Sequence, residues 1–549
     1  MMICLTAKLL DLGFDIVIHL LNDSVQLLQQ NLERFQFSSL APAAKNFADY
    51  MDPDISLKSG QHVIFCKKNA NDLAKLIQKT HAIKKRLIID DEADFATPNA
   101  KINKGEVTKI NELIDELKGS DGVYIGVTAT PARLDLNNTF QNDNERWVNF
   151  PPHREYTGQD IFFPIDTPFL YHLKLLPNSG DTPRYIREAL FRFMVRVAYI
   201  NLNSPKAENF SFLVHTSGKK IDHKADKKPI DDVFQGLADP NSNKFEAYAI
   251  EIRGFAEELY GSENADRILD YIVENRTKYN ITIMNSERDK NVDFKSATNP
   301  STLFTIVIGG NIVSRGVTFN NLLSMFFTRD SKHKIQQDTY IQRARMFGSR
   351  KAHLSHFELT IPEDLYLDWH RCFVFHKLAL EAIKSRMGSP VWIADHRISA
   401  VAANSIDTAN VDLDRGEMSY RMFDYESSIE DLIRLPVDPI QKLKTIQERV
   451  GMDALPDYLI RYIERTLPHG AKSAVFHDSS SIDNYKDGDG TNKEMIERTK
   501  GFFGAPQMQK EKYPEAIHHF KIFYNAKNKG RIFYKFDGSI SFIKNLKHV

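Results

Sequence analysis

Lys84-Lys85-Arg86-Leu87-Ile88-Ile89-Asp90-Asp91-Glu92-Ala93-Asp94 is the stretch on which the reading of the fold turns. A basic lead-in runs into three large aliphatics and then into four carboxylates within the five positions 90–94. A short unbroken aliphatic run reads as a strand buried on both faces, as in a parallel sheet. Carboxylates directly after it stand at the strand's carboxyl edge, where open α/β sheets bind ligands. Acidic groups crowded at an apolar edge repel one another and are poorly solvated, so a cation is expected to offset them. Mg²⁺ carrying nucleotide phosphates suits such a place, because Mg²⁺ takes one or two carboxylates plus phosphate oxygens. The plainer alternative is an acidic loop after an ordinary strand.

Outward from that stretch the same alternation repeats. Met2 to Leu12 has the apolar periodicity of a helix with Gly13 as its C-terminal cap. Ile16 to Leu21 follows as a strand, and Asn22-Asp23-Ser24 caps a helix carrying Leu27, Leu28, Leu32 and Phe35. Residues 61–65 read as a strand, 71–80 as a helix, 108–117 as a helix, and 122–127 as a strand ending in Thr128-Ala129-Thr130-Pro131. Alternating strands and helices with short connections imply a parallel sheet covered on both sides.

Residues 135–183, rich in Asn, Asp, Pro and aromatics, read as an irregular connector. A helix at 184–200 then leads into a second α/β region, with strands at 210–216, 280–284, 303–308 and 322–327 and helices at 244–260 and 263–278. The polar segment 218–243 reads as a loop insertion. Pro362 is placed to open a long helix at its first position, ended by Gly388. Beyond 390 the pattern weakens: 478–492 reads as a loop, and 531–543 as a hairpin turning at Asp537-Gly538.

Composition bounds what such a chain can be. At 549 residues it exceeds a single core and divides into two or three domains. The 72 basic and 72 acidic side chains cancel, so any nucleic-acid contact has to come from a local basic surface rather than the whole molecule's field. Cys4, Cys66 and Cys372 have no paired spacing, which argues against a disulfide framework or a zinc site and fits a reducing, cytoplasmic setting. No apolar run has the length of a membrane span, and the N-terminus lacks the basic leader of a signal peptide.

Two further stretches carry chemistry. Ile308-Gly309-Gly310-Asn311 leads into Ser314-Arg315-Gly316-Val317-Thr318, where glycines let backbone approach a ligand closely. Asp338-Thr339-Tyr340-Ile341-Gln342-Arg343-Ala344-Arg345-Met346-Phe347-Gly348-Ser349-Arg350 brings three arginines and Gln342 around one helix, a set able to clamp phosphate oxygens or simply to form a solvated face.

Taken in this order, the motifs resemble those of the superfamily-two helicase and translocase ATPases. The finer resemblance is to the Z1 domain family, which carries an endonuclease label and is found with restriction and phage-defence genes. It rests on Asp90 to Asp94, on Pro151-Pro152…Tyr156-Thr157-Gly158, on Gly309 to Thr318 and on Asp338 to Arg350, and spans roughly residues 1–400. The resemblance implies two RecA-like parallel-sheet domains of a helicase core, at 1–134 and 196–361. A connector at 135–195 and a C-terminal α+β accessory region at 362–549 complete the chain. It implies ATP and Mg²⁺ in a cleft between the two domains, with Asp91 on the metal, Glu92 as the base and Asp94 completing the acidic box. Gln342 and either Arg345 or Arg350 would serve the transferring phosphoryl group, Thr128 and Thr130 would couple, and Ser314, Arg315, Gly316 and Thr318 would contact nucleotide or nucleic acid. Duplex DNA is the implied polymer, with defence-system proteins as partners.

One feature departs from that pattern: no Gly-x-x-x-x-Gly-Lys-Ser/Thr occurs in the chain. In the family it belongs on the turn feeding the helix at Met1. ATP binding by this chain alone is therefore expected to be weak, with an upstream segment or a separate polypeptide supplying the loop. The alternatives are a non-hydrolysing nucleic-acid-binding or scaffold protein, or an endonuclease. For the endonuclease no clustered histidines at metal spacing and no Pro-Asp…Glu-x-Lys strand pattern is found.

Overall fold

A computed structural model describes residues 2–52, 55, 57, 60–139, 146–165, 167–177, 181–217, 220–284, 297–310, 318–330, 334–384, 391–395, 397–412, 418–466, 474–482, 513–536 and 541–545. The chain divides into two compact units. One comprises residues 1–149, 334–339 and 374–549; the other comprises 150–333 and 340–373.

In the first unit, helix α1 (Met2–Asp11) leads to β1 (Ile16–Leu21), α2 (Val25–Gln36), β2 (Lys45–Asn46), β3 (His62–Lys67) and α3 (Ala70–Thr80). Strand β4 (Arg86–Asp91), α4 (Lys109–Lys118), β5 (Val123–Val127) and α5 (Ala132–Asn137) follow. The strands form one sheet in the order β2-β3-β1-β4-β5, every pair parallel. Their aliphatic runs explain the arrangement. β1 is buried along its whole length, and Leu87, Ile88 and Ile89 of β4 are fully buried between two helical layers. One layer packs Leu73, Leu76, Ile77, Leu113 and Leu117 onto the sheet. The other packs Leu10, Leu28, Leu32 and Phe35. Ser24 caps α2 by accepting the Leu27 N–H, as its position before the helix suggests. β5 forms an edge of the described sheet, with Val123 44 % exposed.

The second unit contains α6 (Gln159–Phe162), β6 (His172–Leu176), α7 (Thr182–Leu202), β7 (Phe210–His215), α8 (Lys220–Ala238), α9 (Asn243–Tyr260) and α10 (Ser262–Glu274). It continues with β8 (Tyr279–Met284), β9 (Phe304–Gly309), β10 (Leu322–Phe327) and a strand at Glu358–Pro362. Its sheet is also wholly parallel, in the order β6, Glu358–Pro362, β10, β7, β9, β8. The core joins this sheet to α7, α8, α9 and α10 through a cluster that includes Phe191, Phe193, Phe212, Phe304 and Ile306. Two parallel α/β sheets are the architecture expected from the motifs.

Several details differ from the sequence reading. Segment 218–243 is largely helix, because Ile230, Val233, Phe234 and Leu237 recur at helical spacing and are buried. Pro229 lies inside that helix, and the buried stripe outweighs its breaking tendency. The irregular connector contributes β6, an edge strand of the second sheet. Pro362 ends a strand, and the long helix runs Glu363–Lys384 just after it; Gly388 lies outside the described residues.

The C-terminal region is α+β. Val391–Ala394, Ser541–Asn545 and Val411–Asp412 make one small sheet. The turn expected at Asp537-Gly538 lies outside the described residues; Lys529–Phe536 pairs antiparallel with His518–Tyr524, turning through Asn525 to Asn528, and Ser541–Asn545 pairs with Val391–Ala394. The stretch read as a loop from 478 begins inside a strand, Ala474–Ser481.

Candidate functional site

The parallel register sets Leu21, Lys67, Asp91 and Val127 level at the carboxyl ends of β1, β3, β4 and β5. The acidic stretch thus stands at the sheet edge, and its four carboxylates have distinct fates. Asp90 points into the interior and is fully buried. Its Oδ2 accepts the Thr97 hydroxyl at 2.6 Å and the Tyr124 hydroxyl at 2.7 Å, and its Oδ1 pairs with Lys68 Nζ at 2.9 Å. The Tyr124 phenol is driven well above its ordinary range, by burial first and the Asp90 charge second. Asp94 is buried against β5: it accepts the Thr128 hydroxyl at 2.7 Å and the Thr130 hydroxyl at 3.1 Å. The Thr130 N–H in turn donates to the Thr128 hydroxyl at 2.9 Å, and the Ala93 N–H to the Val127 carbonyl at 3.0 Å. The acidic turn and the Thr-Ala-Thr turn are therefore one structure.

Asp91 and Glu92 remain at the rim, both half-buried. The Asp91 Oδ1 accepts the Glu92 N–H at 3.1 Å. Burial, followed by the Glu92 charge, pushes the Asp91 carboxyl up to about 6. Glu92 adopts a left-handed backbone, φ 50°, which costs a non-glycine residue about 1 kcal/mol or more and is a feature that gathers at functional sites. Asn22 Nδ2 reaches its Oε2 at 3.4 Å. Among the described residues no group of three or more His, Cys, Asp or Glu converges to hold a metal. A cation at this rim would take one or two carboxylates and fill its remaining positions from water or a ligand, which is the habit of Mg²⁺. The raised Asp91 fits it, since a nearby cation favours the ionised carboxylate that burial disfavours.

The second sheet's carboxyl edge has the opposite character. β7 ends in buried His215, and Arg329 follows β10 by two residues. Arg329 Nη1 lies 3.2 Å from His215 Nε2. A guanidinium can only donate, so His215 Nε2 accepts, the ring is neutral and its proton is on Nδ1. Burial, then Arg329, Arg343 and Arg345, hold the imidazole well below its usual range. Burial and Arg343 bring Arg329 down to about 10. Arg343 stacks over the Tyr340 ring at 5.0 Å, while Arg345 and Gln342 are half-buried.

Arg350 is placed differently. Its guanidinium donates to the carbonyls of Phe319 at 2.7 Å and of Met346 and Arg345 at 3.4 Å, and it is buried. That is a brace on the chain rather than a group presented to a ligand. Thr318 is exposed, and Ser314, Arg315 and Gly316 lie outside the described residues. Asp338, from the start of the same motif, belongs to the first unit and pairs with Arg133 at 2.5 Å.

Two motifs far apart in sequence meet in the second unit. Thr157 and Gly348 exchange backbone hydrogen bonds at 2.8 and 3.1 Å, the Thr157 hydroxyl adds a third, and Phe162 packs against Phe347. Gly348 has φ 146°, and a Cβ on Gly158 would meet the Tyr156 ring at 2.7 Å, which accounts for glycine in both motifs. Sequence reading did not single out Lys68, His215 or Arg329, and it gave Asp90 no role of its own within the acidic box. Lys67-Lys68 at the end of β3 was the available signal, since a lysine at a parallel sheet's carboxyl edge is placed like the carboxylates across from it.

Among the described residues the fold is that of a two-sheet parallel α/β protein with one acidic and one basic carboxyl edge. Residues 185–387 match the model of the Z1 domain. The match takes in every strand of the second unit's sheet except β6 and leaves out the acidic stretch. No curated protein matches the chain.

Among solved structures, it is similar to the NS3-like helicase of Alongshan virus at 10 % identity and TM-score 0.31, covering 73 % of this chain and 78 % of that one. It is similar to S. cerevisiae Dbp5 at 12 % identity and TM-score 0.35, covering 68 % and 74 %. A third is the Mycobacterium smegmatis helicase Lhr, solved with single-stranded DNA and AMP-PNP, at 10 % identity and TM-score 0.34, covering 81 % and 49 %. Among the described residues no helix is long and apolar enough to cross a membrane.

Proposed function

We propose that the chain is the motor part of a nucleic-acid-dependent ATPase of the helicase and translocase kind, acting on duplex DNA in a restriction or defence setting. The observation that carries this reading is the sorting of the carboxylates at the first sheet's edge. Asp90 and Asp94 are consumed by internal partners, whereas Asp91 and Glu92 stay at the rim. In this reading Asp91 holds Mg²⁺ directly or through water, and Glu92 orients and deprotonates the attacking water. Mg²⁺ when bound supplies charge neutralisation for phosphate oxygens. Thr128 and Thr130 fix Asp94, so a shift of the β5 turn is felt by the acidic box. Of the arginines in the last motif, half-buried Arg345 is the candidate for contact with phosphate, because Arg350 is buried.

The sequence has no Gly-x-x-x-x-Gly-Lys-Ser/Thr phosphate loop. We propose that a separate polypeptide supplies that loop. The same sequence fact favours, as a second reading, a nucleic-acid-binding protein that does not hydrolyse ATP.

The deciding experiment titrates Mn²⁺ into the chain and then measures DNA-stimulated ATP hydrolysis in the presence of a Gly-Lys-Thr-type loop. Glu92→Gln is expected to keep Mn²⁺ binding and to lose turnover by about 10²–10⁴-fold, the usual weight of a general base. Asp91→Asn is expected to weaken Mn²⁺ itself. Turnover unaffected by Glu92→Gln defeats the assignment; DNA binding without any turnover favours the second reading.

A further inference from the structure

The crowding of carboxylates at the first edge calls for a cation, and the fold already contains one. Lys68 is the residue after β3, its N–H donating to the Leu21 carbonyl at 2.8 Å, and its side chain is fully buried. β1 lies between β3 and β4 in the sheet, so the lysine reaches past the end of β1 to the turn after β4. Four oxygens of that turn surround Nζ: Asp90 Oδ1 at 2.9 Å and the carbonyls of Asp91 at 3.0 Å, Glu92 at 2.8 Å and Phe95 at 2.9 Å. An ammonium has three hydrogens to share among them, and three of the acceptors are main-chain atoms.

This geometry does more than neutralise Asp90. Drawing the Asp91 and Glu92 carbonyls inward onto one nitrogen fixes the backbone on which both rim carboxylates are mounted. The Phe95 N–H to Glu92 carbonyl bond at 2.9 Å closes the same turn, and Glu92 keeps its left-handed backbone within it. A buried ammonium bonded only to carboxylates would be an ion pair; one bonded to three consecutive-turn carbonyls is a clamp on the loop.

We propose that Lys68 is a positioning residue for the acidic edge: an internal cation that holds the 91–95 turn so that Asp91 and Glu92 present their carboxylates to a divalent cation. The proposal rests on the reading of that edge as a Mg²⁺ site. It assigns Lys68 no contact with the metal or with substrate.

Lys68→Met alone strands the Asp90 charge and risks unfolding, so the test uses the double variant Lys68→Met/Asp90→Asn. That variant removes both buried charges together and leaves none uncompensated, while the three carbonyls lose their donor. Two readouts are taken on the full chain: Mn²⁺ affinity by electron paramagnetic resonance, and amide hydrogen exchange across 91–97. If Lys68 positions the edge, the double variant stays folded with a lower melting point than the parent, exchanges faster across 91–97 and binds Mn²⁺ about 10–100-fold more weakly, the range typical for loss of an outer-shell partner. Asp90→Asn alone keeps the lysine on its three carbonyls and is expected to retain slow exchange there.

Unchanged exchange and unchanged Mn²⁺ affinity in the double variant would overturn the proposal. Faster exchange with full Mn²⁺ affinity would overturn it too, leaving Lys68 a loop brace without consequence for the site. A parent chain that binds no Mn²⁺ would instead strike down the metal reading of the edge, with exchange still deciding whether Lys68 holds the turn.

Discussion

The two sheets end alike in geometry and differently in charge. Both are wholly parallel, and both gather chemistry-bearing side chains where their strands finish. The first edge holds Asp90, Asp91, Glu92 and Asp94; the second holds His215, Arg329, Arg343 and Arg345. The difference lies in how each charge is managed. At the acidic edge a buried lysine and four hydroxyl bonds neutralise the inner carboxylates and leave two at the rim. At the basic edge the cations depress one another, and the nearest buried group, His215, stays neutral and merely accepts a hydrogen bond. An edge neutralised from inside fixes the direction of what remains; at the other edge the like charges hold one another and His215 down.

That contrast is open to direct attack, and the largest effect is expected at the brace. Lys68→Met leaves Asp90 buried and unpaired and should cost about 3–5 kcal/mol, as breaking a buried pair does. Arg329→Gln at the other edge keeps an N–H for His215 but removes a charge that burial and Arg343 disfavour, and should cost less than about 1 kcal/mol. Urea unfolding, followed separately in the two units because such a chain need not unfold in one step, makes the comparison. Equal losses at the two edges would mean that both are braced alike.

A smaller effect is expected from the hydroxyls. Thr128→Val and Thr130→Val each remove a donor from buried Asp94 at nearly constant shape, and each should cost about 1.5–3 kcal/mol. Thr318→Val, exposed in the second unit, should stay within about 0.5 kcal/mol. Thermal midpoints of the three variants suffice. If the Thr318 change were as damaging as the other two, hydroxyl bracing would not distinguish the edges.

The same contrast explains what could be read from sequence. β1, β4, β7, β9 and β10 announce themselves as aliphatic runs, because a strand covered on both faces has no other way to be soluble in its own core. Glu358–Pro362 was missed, since a strand starting in glutamate and ending in proline matches no such pattern. It is stable because Arg192 and Arg196 of α7, more than 160 residues earlier, meet the Glu358 carboxylate at 2.8–3.0 Å. Burial pushes that carboxyl up, but the two guanidiniums outweigh it and hold it below its usual range. Lys68 escaped for the same reason: its partners follow β4, and only the sheet order brings them within reach. At the acidic edge the local residues were legible and their division of labour was not, because that division depends on which carboxylate faces inward. C-terminal strands of two residues, such as Val411–Asp412 and Met418–Ser419, are too short to carry any periodicity.

The smallest and most diagnostic effect is the sign of each edge's response to pH. In an unfolded chain Asp91 and His215 would titrate near about 4 and about 6.5. In the folded chain Asp91 is pushed up to about 6, by burial and then Glu92, and His215 is held well below 6.5, by burial and then Arg329. As pH rises from about 4 to about 6, the unfolded chain gives up the Asp91 proton that the folded chain keeps. The first edge therefore loses stability with rising pH, at no more than about 1.4 kcal/mol per unit. As pH falls below about 6.5, the unfolded chain takes up a proton on His215 that the folded chain refuses. The second edge therefore loses stability with falling pH, at the same limiting slope. Acidification from about 6 toward about 4.5 should thus tighten residues 86–97 and loosen residues 210–215. Amide exchange corrected for its intrinsic pH dependence resolves the two regions. Asp91→Asn should flatten only the first slope and His215→Phe only the second. Slopes of the same sign, or variants that flatten neither, would show that the charge environments assigned to the two edges do not govern their stability.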